Sequence, residues 1–122
     1  MSVDDLLPLT PLSFEILLAL ADEQRHGYGI IKEIEARTGK PLKSSTGTLY
    51  LAIRRLEEGE LITESDGAED GGSRRRYYRL TDLGKDVVAA EAERLANLLG
   101  VARQKDMLPS KSLLSAAGSR QS

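Results

Sequence analysis

The spacing of apolar residues changes twice along this chain, and the order of those changes restricts the folds that it can adopt. Up to about residue 58, apolar residues recur every three or four positions, as they do in amphipathic helices. Residues 61–65 and 75–80 have the composition of strands, and the segment 66–73 between them holds three glycines and three acidic residues. Helical spacing then returns and continues towards Pro109. The pattern predicts three helices, a β-hairpin with a long tip, and a long fourth helix.

Residues that favour helix ends place the first two helices. Thr10 is a good N-cap and Pro11 suits a first turn, so the first helix is predicted to run from there to about Glu23. The second helix is predicted from about Tyr28 to Thr38, because a glycine follows it.

The third predicted helix has two contrasting faces. It starts at one of three possible N-caps, Ser44, Ser45 or Thr46, and is predicted to end near Glu58. Its buried stripe consists of Leu49, Ile53 and Leu56, helped by Ala52. The opposite face carries Gly47, Thr48, Leu51, Arg54 and Arg55, with Tyr50 at its flank. Arginines, small hydroxyls and a leucine on one exposed face favour a binding surface over a merely solvated one.

The fourth predicted helix begins after Thr81 and must end before Pro109. A helix of about 26 residues is roughly 39 Å long at 1.5 Å per residue, which is more than a small domain can cover. Its apolar residues follow a heptad pattern, which predicts a homodimer contact. The residues predicted to form that contact are Val88, Ala92, Leu95, Leu98, Leu99 and Ala102.

Three helices followed by a hairpin are the order of a winged helix-turn-helix, so the expected fold is mostly α with a small β-hairpin wing. The chain is expected to divide into an N-terminal arm at 1–9, a DNA-binding domain at 10–81 and a C-terminal dimerisation helix at 82–108. The serine-rich segment 109–122 is expected to form a loose tail.

The charge of the chain is small overall but unevenly distributed. The formal net charge is only −2. Four basic residues and no acid lie between Lys40 and Arg55, and four arginines and no acid lie between Arg74 and Arg79. The intervening segment 57–70 holds seven acids and no base. Binding depends on the local field, so the third helix and the returning strand are the predicted nucleic-acid surface.

Other function classes find little support in the composition. The chain has no cysteine and one histidine, which argues against disulfides, a cysteine-ligated metal and a serine–histidine triad. The histidine, His26, is interpreted as a turn residue. No apolar run approaches the roughly 20 residues that cross a bilayer, and the acidic start is unlike a signal peptide. A cytoplasmic binding protein without cofactor, metal or enzymatic activity is therefore expected.

Four motifs in register resemble those of the PadR-like transcriptional regulators. They are His26-Gly27-Tyr28-Gly29-Ile30, Ser45-Thr46-Gly47-Thr48-Leu49-Tyr50, Arg55-Leu56-Glu57-Glu58-Gly59-Glu60-Leu61-Ile62 and Arg74-Arg75-Arg76-Tyr77-Tyr78-Arg79-Leu80-Thr81. Their order and spacing agree over roughly residues 10 to 108. The resemblance implies a homodimeric transcription factor of bacteria or archaea, usually a repressor. It also implies the smaller subfamily, whose members often bind aromatic or drug-like compounds near the dimer interface.

The resemblance and the charge pattern together give a candidate DNA interface. The third helix would enter the major groove, with Thr48 and Arg54 at base edges and Tyr50, Lys43 and Ser45 at phosphates. The wing tip is acidic, so its contacts are expected from the adjacent arginines. For Tyr77, the sequence allows two roles, which are packing against a side chain of the neighbouring strand and contact with a phosphate. The full set of expected DNA-binding residues is Lys43, Ser45, Thr46, Gly47, Thr48, Tyr50, Arg54, Arg55, Arg74, Arg75, Arg76 and Tyr77.

Two further hypotheses accompany this interpretation. The first is a switch released by a small aromatic effector, bound between the first helix and the partner's fourth helix. The second is a protein-interaction module that does not bind DNA specifically. A two-fold dimer is expected to prefer an inverted repeat with half-sites roughly 34 Å apart, or a multiple of that distance.

Overall fold

The structure, a computed structural model, describes residues 2–42, 45–65 and 76–109. A short 3-10 helix at Val3–Leu6 precedes the main elements. These are α1 (Pro11–Ala19), β1 (Arg25–His26), α2 (Gly27–Thr38), α3 (Thr46–Glu58), β2 (Ile62–Ser65), β3 (Tyr77–Leu80) and α4 (Asp82–Gln104). The order of helices and hairpin strands is the predicted one, and it is that of a winged helix-turn-helix.

The sheet has one strand more than the sequence predicted. It is antiparallel with the order β1-β3-β2, so β3 is its central strand. Arg25 pairs with Tyr78 and His26 with Tyr77, which adds β1 to the hairpin of β2 and β3. The interpretation of His26 as a turn residue was therefore wrong, because it lies in a strand. A strand of two residues is too short to show an alternating pattern.

Two helices end earlier than predicted, and local hydrogen bonds explain both ends. The first was expected to reach Glu23, but α1 ends at Ala19, whose carbonyl accepts a hydrogen bond of 2.7 Å from the Arg25 guanidinium. At the end of α4, Asp106 has a positive φ of 58°. The Met107 and Asp106 amides donate to the carbonyls of Ala102 and Arg103, which is the Schellman arrangement. This turn ends α4 before the proline is reached.

The core combines residues of all the main elements except β1. The predicted stripe of α3 is buried, and Tyr78 is buried as predicted, with 5% of its surface exposed. The fully buried side chains also include Val87 of α4, which is completely inaccessible. The core residues are Ile16, Leu17, Ala19, Leu20, Ile30, Ile34, Leu49, Ile53, Leu56, Leu61, Ile62, Tyr78, Leu80 and Val87.

The first part of α4 is held against the core by two close contacts. A Cβ atom at Gly84 would collide with the carbonyl oxygen of Leu61. Glu91 is buried, and its Oε2 accepts a hydrogen bond of 3.2 Å from the Leu9 amide. Residues just before α1 and residues of α4 are therefore joined directly.

The chain forms two compact units, Met1–Glu91 and Ala92–Ser122. The described part of the second unit contains the remainder of α4 and the turn that ends it. Leu108 is half-buried, and the other large apolar residues described there are exposed: Leu95, Leu98, Leu99, Val101 and Met107.

Candidate nucleic-acid interface

The start of α3 is fixed by side-chain capping. Of the three possible N-caps, Ser45 has this role, because its Oγ accepts a hydrogen bond of 3.1 Å from the Thr48 amide. The two hydroxyls, Ser45 Oγ and Thr48 Oγ1, are also 2.9 Å apart and hydrogen-bonded. Both residues are exposed, so each hydroxyl keeps room for a further contact.

The predicted outer face of α3 is exposed along its whole length. Gly47, Thr48, Arg54 and Arg55 are exposed, and Leu51 keeps 45% of its surface. The helix has no acidic residue before its last two positions. The structure therefore presents two guanidinium groups, several hydroxyls and one apolar side chain together.

A groove of about 400 Å³ runs between this face and the start of α1. Its α3 wall includes Thr48, Leu51 and Arg55, and its α1 wall includes Thr10 and Ser13. Thr10 is the N-cap of α1 and accepts a hydrogen bond of 3.1 Å from the Ser13 amide. No acidic side chain lines this groove, in contrast to the cavity beside β2, which Glu57, Glu60 and Asp82 line.

At the wing, Arg76 is bound by carboxylates of the same chain. Its Nε and Nη2 donate to the two carboxylate oxygens of Glu64 at 3.2 and 3.1 Å. Glu57 lies 3.7 Å from the same guanidinium, which is also 5.9 Å from the centre of the Tyr78 ring. The hydrogen bond from Arg76 lowers the pKa of Glu64, and its counterpart raises the pKa of Arg76. Both groups are therefore charged at neutral pH.

Tyr77 packs across the sheet on His26. The two rings meet edge to face, with centroids 5.1 Å apart, and the two residues are register partners in β3 and β1. The geometry supports the packing interpretation of Tyr77; its contact with phosphate stays a prediction.

A cavity of about 280 Å³ lies where α2 begins. Its lining residues are His26, Gly27, Tyr28, Tyr50, Arg76 and Tyr78. The Tyr50 ring lies so close to Gly27 that a Cβ atom there would collide with the phenol. Burial raises the pKa of the Tyr78 phenol, so its hydroxyl stays protonated at neutral pH.

His26 caps α2, which the sequence interpretation missed. Its Nδ1 accepts a hydrogen bond of 2.9 Å from the Gly29 amide. Tyr28 is 53% exposed, stacks on the His26 ring, and has the Lys32 ammonium 5.2 Å from its own ring centre. The cluster of His26, Tyr28 and Lys32 had one signal in the sequence, the run from His26 to Ile30. That run was used only as evidence for the family resemblance.

The remaining predicted residues divide into three groups. Lys43, Arg74 and Arg75 lie outside the described residues. Of the predicted dimer contacts, Val88 is half-buried and packs against the core of the first unit. In the second unit Ala92, Leu95, Leu98 and Leu99 are exposed, and Ala102 is half-buried.

Two further features of the described residues concern other classes of function. No cluster of three or more histidine, cysteine, aspartate or glutamate side chains there could hold a metal ion. In the same ranges, no helix is both long enough and apolar enough to cross a membrane.

Sequence comparison gives matches over most of the first unit. The model of the transcriptional regulator PadR-like family matches residues 16–90. An uncharacterised protein of Lysinibacillus sphaericus is 40% identical over 70 residues, which are 57% of this chain and 64% of that protein. An uncharacterised protein in a Streptomyces fradiae transposon is 39% identical over 70% of this chain, but only 23% of that protein is matched. The chain thus spans less than two thirds of the length of these two relatives.

Better coverage comes from a transcriptional regulator of Mycobacterium tuberculosis, which is 34% identical over 68% of this chain and 74% of its own length. A PadR family transcription regulator from Clostridium difficile has a similar structure, with a TM-score of 0.67 and 29% identity over 78% of this chain and 97% of that one. Bacillus subtilis PadR, solved in complex with operator DNA, shares the fold at a TM-score of 0.57 and 22% identity, over 66% of this chain and 46% of that one.

Proposed function

The chain belongs to the PadR-like family of transcriptional regulators, and from this premise we propose that it is a cytoplasmic, homodimeric repressor that binds an inverted-repeat operator. The family consists of regulators and not of enzymes, which confirms that prediction from the sequence. The observation that carries the proposal is the exposed outer face of α3, which holds no acidic residue before the last two positions of the helix. Among proteins of this fold, Bacillus subtilis PadR is one that binds operator DNA.

In this proposal the region 10–81 binds DNA, and α3 lies in the major groove. Arg54 and Thr48 reach base edges, where an arginine can bond guanine through two hydrogen bonds. Ser45, Tyr50 and Arg55 lie on or beside the same exposed face and contact the backbone. The other predicted contacts are Lys43, Thr46, Gly47, Arg74, Arg75, Arg76 and Tyr77.

The homodimer is proposed from the apolar residues of the region 82–108. Leu98 is 54% exposed and Leu99 is 44% exposed, and with Leu95 they repeat at helical spacing. Exposed leucines in a row favour a protein contact, since burying each one contributes about 1.5–3 kcal/mol. A second copy of the same helix is the partner that a two-fold regulator requires.

We also propose that a small aromatic effector regulates the protein. Leu6, Leu9 and Phe14 are half-buried and would form one wall of its site, with the partner's fourth helix as the other. Such a compound shifts DNA affinity only as far as it binds the two dimer geometries differently. Thermal shift with a panel of aromatic acids and dyes tests it: no rise of the unfolding midpoint removes its support.

The test of DNA binding is fluorescence anisotropy of a labelled duplex from the region upstream of the gene, beside a scrambled duplex, at several salt concentrations. We expect selective binding of the first duplex and a steep salt slope, since each neutralised phosphate contributes about 0.9 to that slope. Equal, weak binding of both duplexes would contradict an operator in that region.

A protein-interaction module is the second candidate, and the neutralised wing arginine favours it: Arg76 is bound by Glu64 and Glu57. Reversing the charge of Arg54 and Arg55 to glutamate separates the two candidates. If this variant loses DNA binding while light scattering still gives the mass of a dimer, the hypothesis of an interaction module that does not bind DNA is rejected. Unchanged DNA binding rejects α3 as the DNA-reading helix.

A further inference from the structure

The chain has one histidine, and it lies where β1 passes into α2. His26 is the N-cap of α2, and its Nδ1 accepts a hydrogen bond of 2.9 Å from the Gly29 amide. Serine, threonine, aspartate and asparagine are the preferred caps, and none of them ordinarily changes charge near neutral pH. An imidazole does, between about pH 5 and 8. The start of α2 is therefore held by a side chain that can lose its capping role in that range.

The cap needs the neutral form of the ring. Nδ1 accepts a hydrogen bond only while it carries no proton, whereas both nitrogens of the charged ring are donors. A proton on Nδ1 would face the N–H of Gly29, and the hydrogen bond would be lost. The charged ring would also add to the partial positive charge at the N-terminal end of α2. Protonation of His26 thus opposes the start of α2 in two ways.

The aromatic rings around His26 give no counter-charge to a protonated imidazole. Tyr28 of α2 stacks on it, and Tyr77 of β3 meets it edge to face with centroids 5.1 Å apart. Tyr50 of α3 and Tyr78 of β3 line the same cavity as His26. Phenols are ordinarily uncharged at neutral pH, and burial raises the pKa of Tyr78 further. These four side chains therefore pack on the ring without stabilising a charge on it.

The charged side chains of the same region are three cations and the carboxylates that hold them. Arg25 precedes His26 in β1, Lys32 of α2 lies over the Tyr28 ring, and Arg76 lines the cavity. Their carboxylate partners are Asp22, Glu23 and Glu33 for Arg25, Glu35 for Lys32, and Glu57 and Glu64 for Arg76. Because these carboxylates are already engaged and the cations repel a charged ring, these groups favour the neutral imidazole.

The cap is connected to both parts of the proposed DNA interface. Gly27, the residue after it, begins α2 and lies against the Tyr50 phenol of α3, in the space that a Cβ atom would fill. On the other side, His26 is the register partner of Tyr77 in the wing strand β3. A shift of the start of α2 therefore changes the support of Tyr50, which flanks the exposed face of α3.

We propose that His26 makes this regulator sensitive to pH: protonation of its ring releases the cap of α2 and weakens operator binding as the pH falls below about 6.5. The effect on the operator rests on the proposed DNA binding, whereas the release of the cap does not. Since only the neutral ring caps the helix, the folded chain binds fewer protons here than the unfolded chain. The free energy of unfolding is therefore fully maintained above about pH 6.5 and falls as the pH falls below it.

The first arm of the test is an NMR titration of the full-length, ¹⁵N-labelled protein from pH 8 to pH 5. The ring signals belong to His26 without ambiguity, because the chain has no other histidine. At pH 7.5 we expect an unprotonated Nδ1 and a protonated Nε2. On acidification the ring should gain its proton below about pH 6.5, and the Gly29 amide signal should move with the same midpoint. A protonated Nδ1 at pH 7.5, or a Gly29 signal that does not follow the ring, would overturn the inference.

The second arm uses His26→Asn as the matched control, because asparagine is a good N-cap and does not titrate. Anisotropy with the upstream duplex is measured at pH 7.5, 6.5 and 5.5 and constant ionic strength. Each protein is compared with itself at pH 7.5, so a changed affinity of the variant at that pH does not matter. Loss of a cap weakens a helix by an amount worth roughly three- to tenfold, and we expect the wild type to lose that much more affinity than the variant by pH 5.5.

Urea unfolding at the same three pH values gives a readout that needs no DNA. The free energy of unfolding should fall with pH in the wild type and change less in His26→Asn. Equal pH dependence of DNA binding in the two proteins, with a Gly29 signal that follows the ring, would overturn the control of DNA binding by His26. A wild type that binds neither the upstream nor the scrambled duplex at pH 7.5 contradicts the proposed function. The NMR titration and the unfolding then still decide whether protonation releases the cap.

Discussion

Arg76 is shared between two carboxylates in the free protein. Glu64 binds it through two hydrogen bonds and Glu57 lies 3.7 Å away. A DNA phosphate that contacts Arg76 has to displace these carboxylates or bind beside them. Because Arg76 lowers the pKa of Glu64, the carboxylate charge is present above its ordinary titration range and is lost only as the pH falls through the lowered value. The competition therefore persists at neutral pH.

Replacing Glu64 should strengthen DNA binding. Glu64→Gln keeps the shape of the side chain and weakens its hold on Arg76, which becomes available to a phosphate. We expect higher affinity and a salt slope steeper by about 0.9. Glu93→Gln removes the same charge from an exposed residue of α4, away from α3 and the wing strands in sequence, and serves as the control in the same anisotropy titrations. An equal effect of the two variants would mean that net charge alone, and not the release of Arg76, determines affinity.

Two glycines of α4 lie in opposite surroundings, although both would be expected to weaken a helix. A Cβ atom at Gly84 would meet the Leu61 carbonyl carbon at 3.0 Å and its oxygen closer still, whereas nothing lies within 4 Å of one at Gly100. Gly84 is therefore required for packing, and Gly100 has no such role in the single chain.

Alanine at these two positions should have opposite effects on stability. Gly84→Ala should lower the free energy of unfolding by about 1–3 kcal/mol, because the backbone of Leu61 cannot move aside easily. Gly100→Ala should raise it by about 0.5–1 kcal/mol, because alanine loses less chain entropy in a helix. Urea unfolding at one fixed protein concentration measures both. A stabilised Gly84→Ala variant would contradict the close packing of α4 on Leu61.

The elements that sequence predicted well are those with local signals. The stripe of α3 follows from helical periodicity, and the capping role of Ser45 was among the alternatives. The contacts that sequence missed join residues far apart in the chain. Nothing around Gly27 indicates that the Tyr50 ring will lie on it, and a glutamate such as Glu91 is ordinarily expected at the surface. Such contacts depend on how the elements pack and not on the residues beside them.

At the scale of the whole molecule, the proposed dimer depends on the contact that joins its two copies. The exposed leucines of the second unit are the proposed contact between copies. One dimer that engages two half-sites binds far more tightly than a monomer that engages one, because the second contact is made within the same complex.

Leu99→Glu should therefore yield a monomer with weak operator binding. A glutamate in an apolar contact between helices is costly, and we expect light scattering to give a single-chain mass. Operator affinity should fall by a factor on the order of 100 or more. Asn97→Glu places the same charge two residues before Leu99, at an exposed residue outside the heptad stripe, and should remain dimeric. A dimeric Leu99→Glu variant would exclude this face as the interface.

The hydrogen bond from Leu9 to Glu91 joins residues 82 positions apart, and Val87 beside it completes the core. During translation at about 5–20 residues per second, residues before α1 therefore wait roughly 4–16 s for their partner to be synthesised. A product of premature termination that ends before α4 cannot close this core and is exposed to proteases. If the proposed DNA binding is correct, we expect fragments without the fourth helix to be degraded, so that they do not compete with the dimer for the operator.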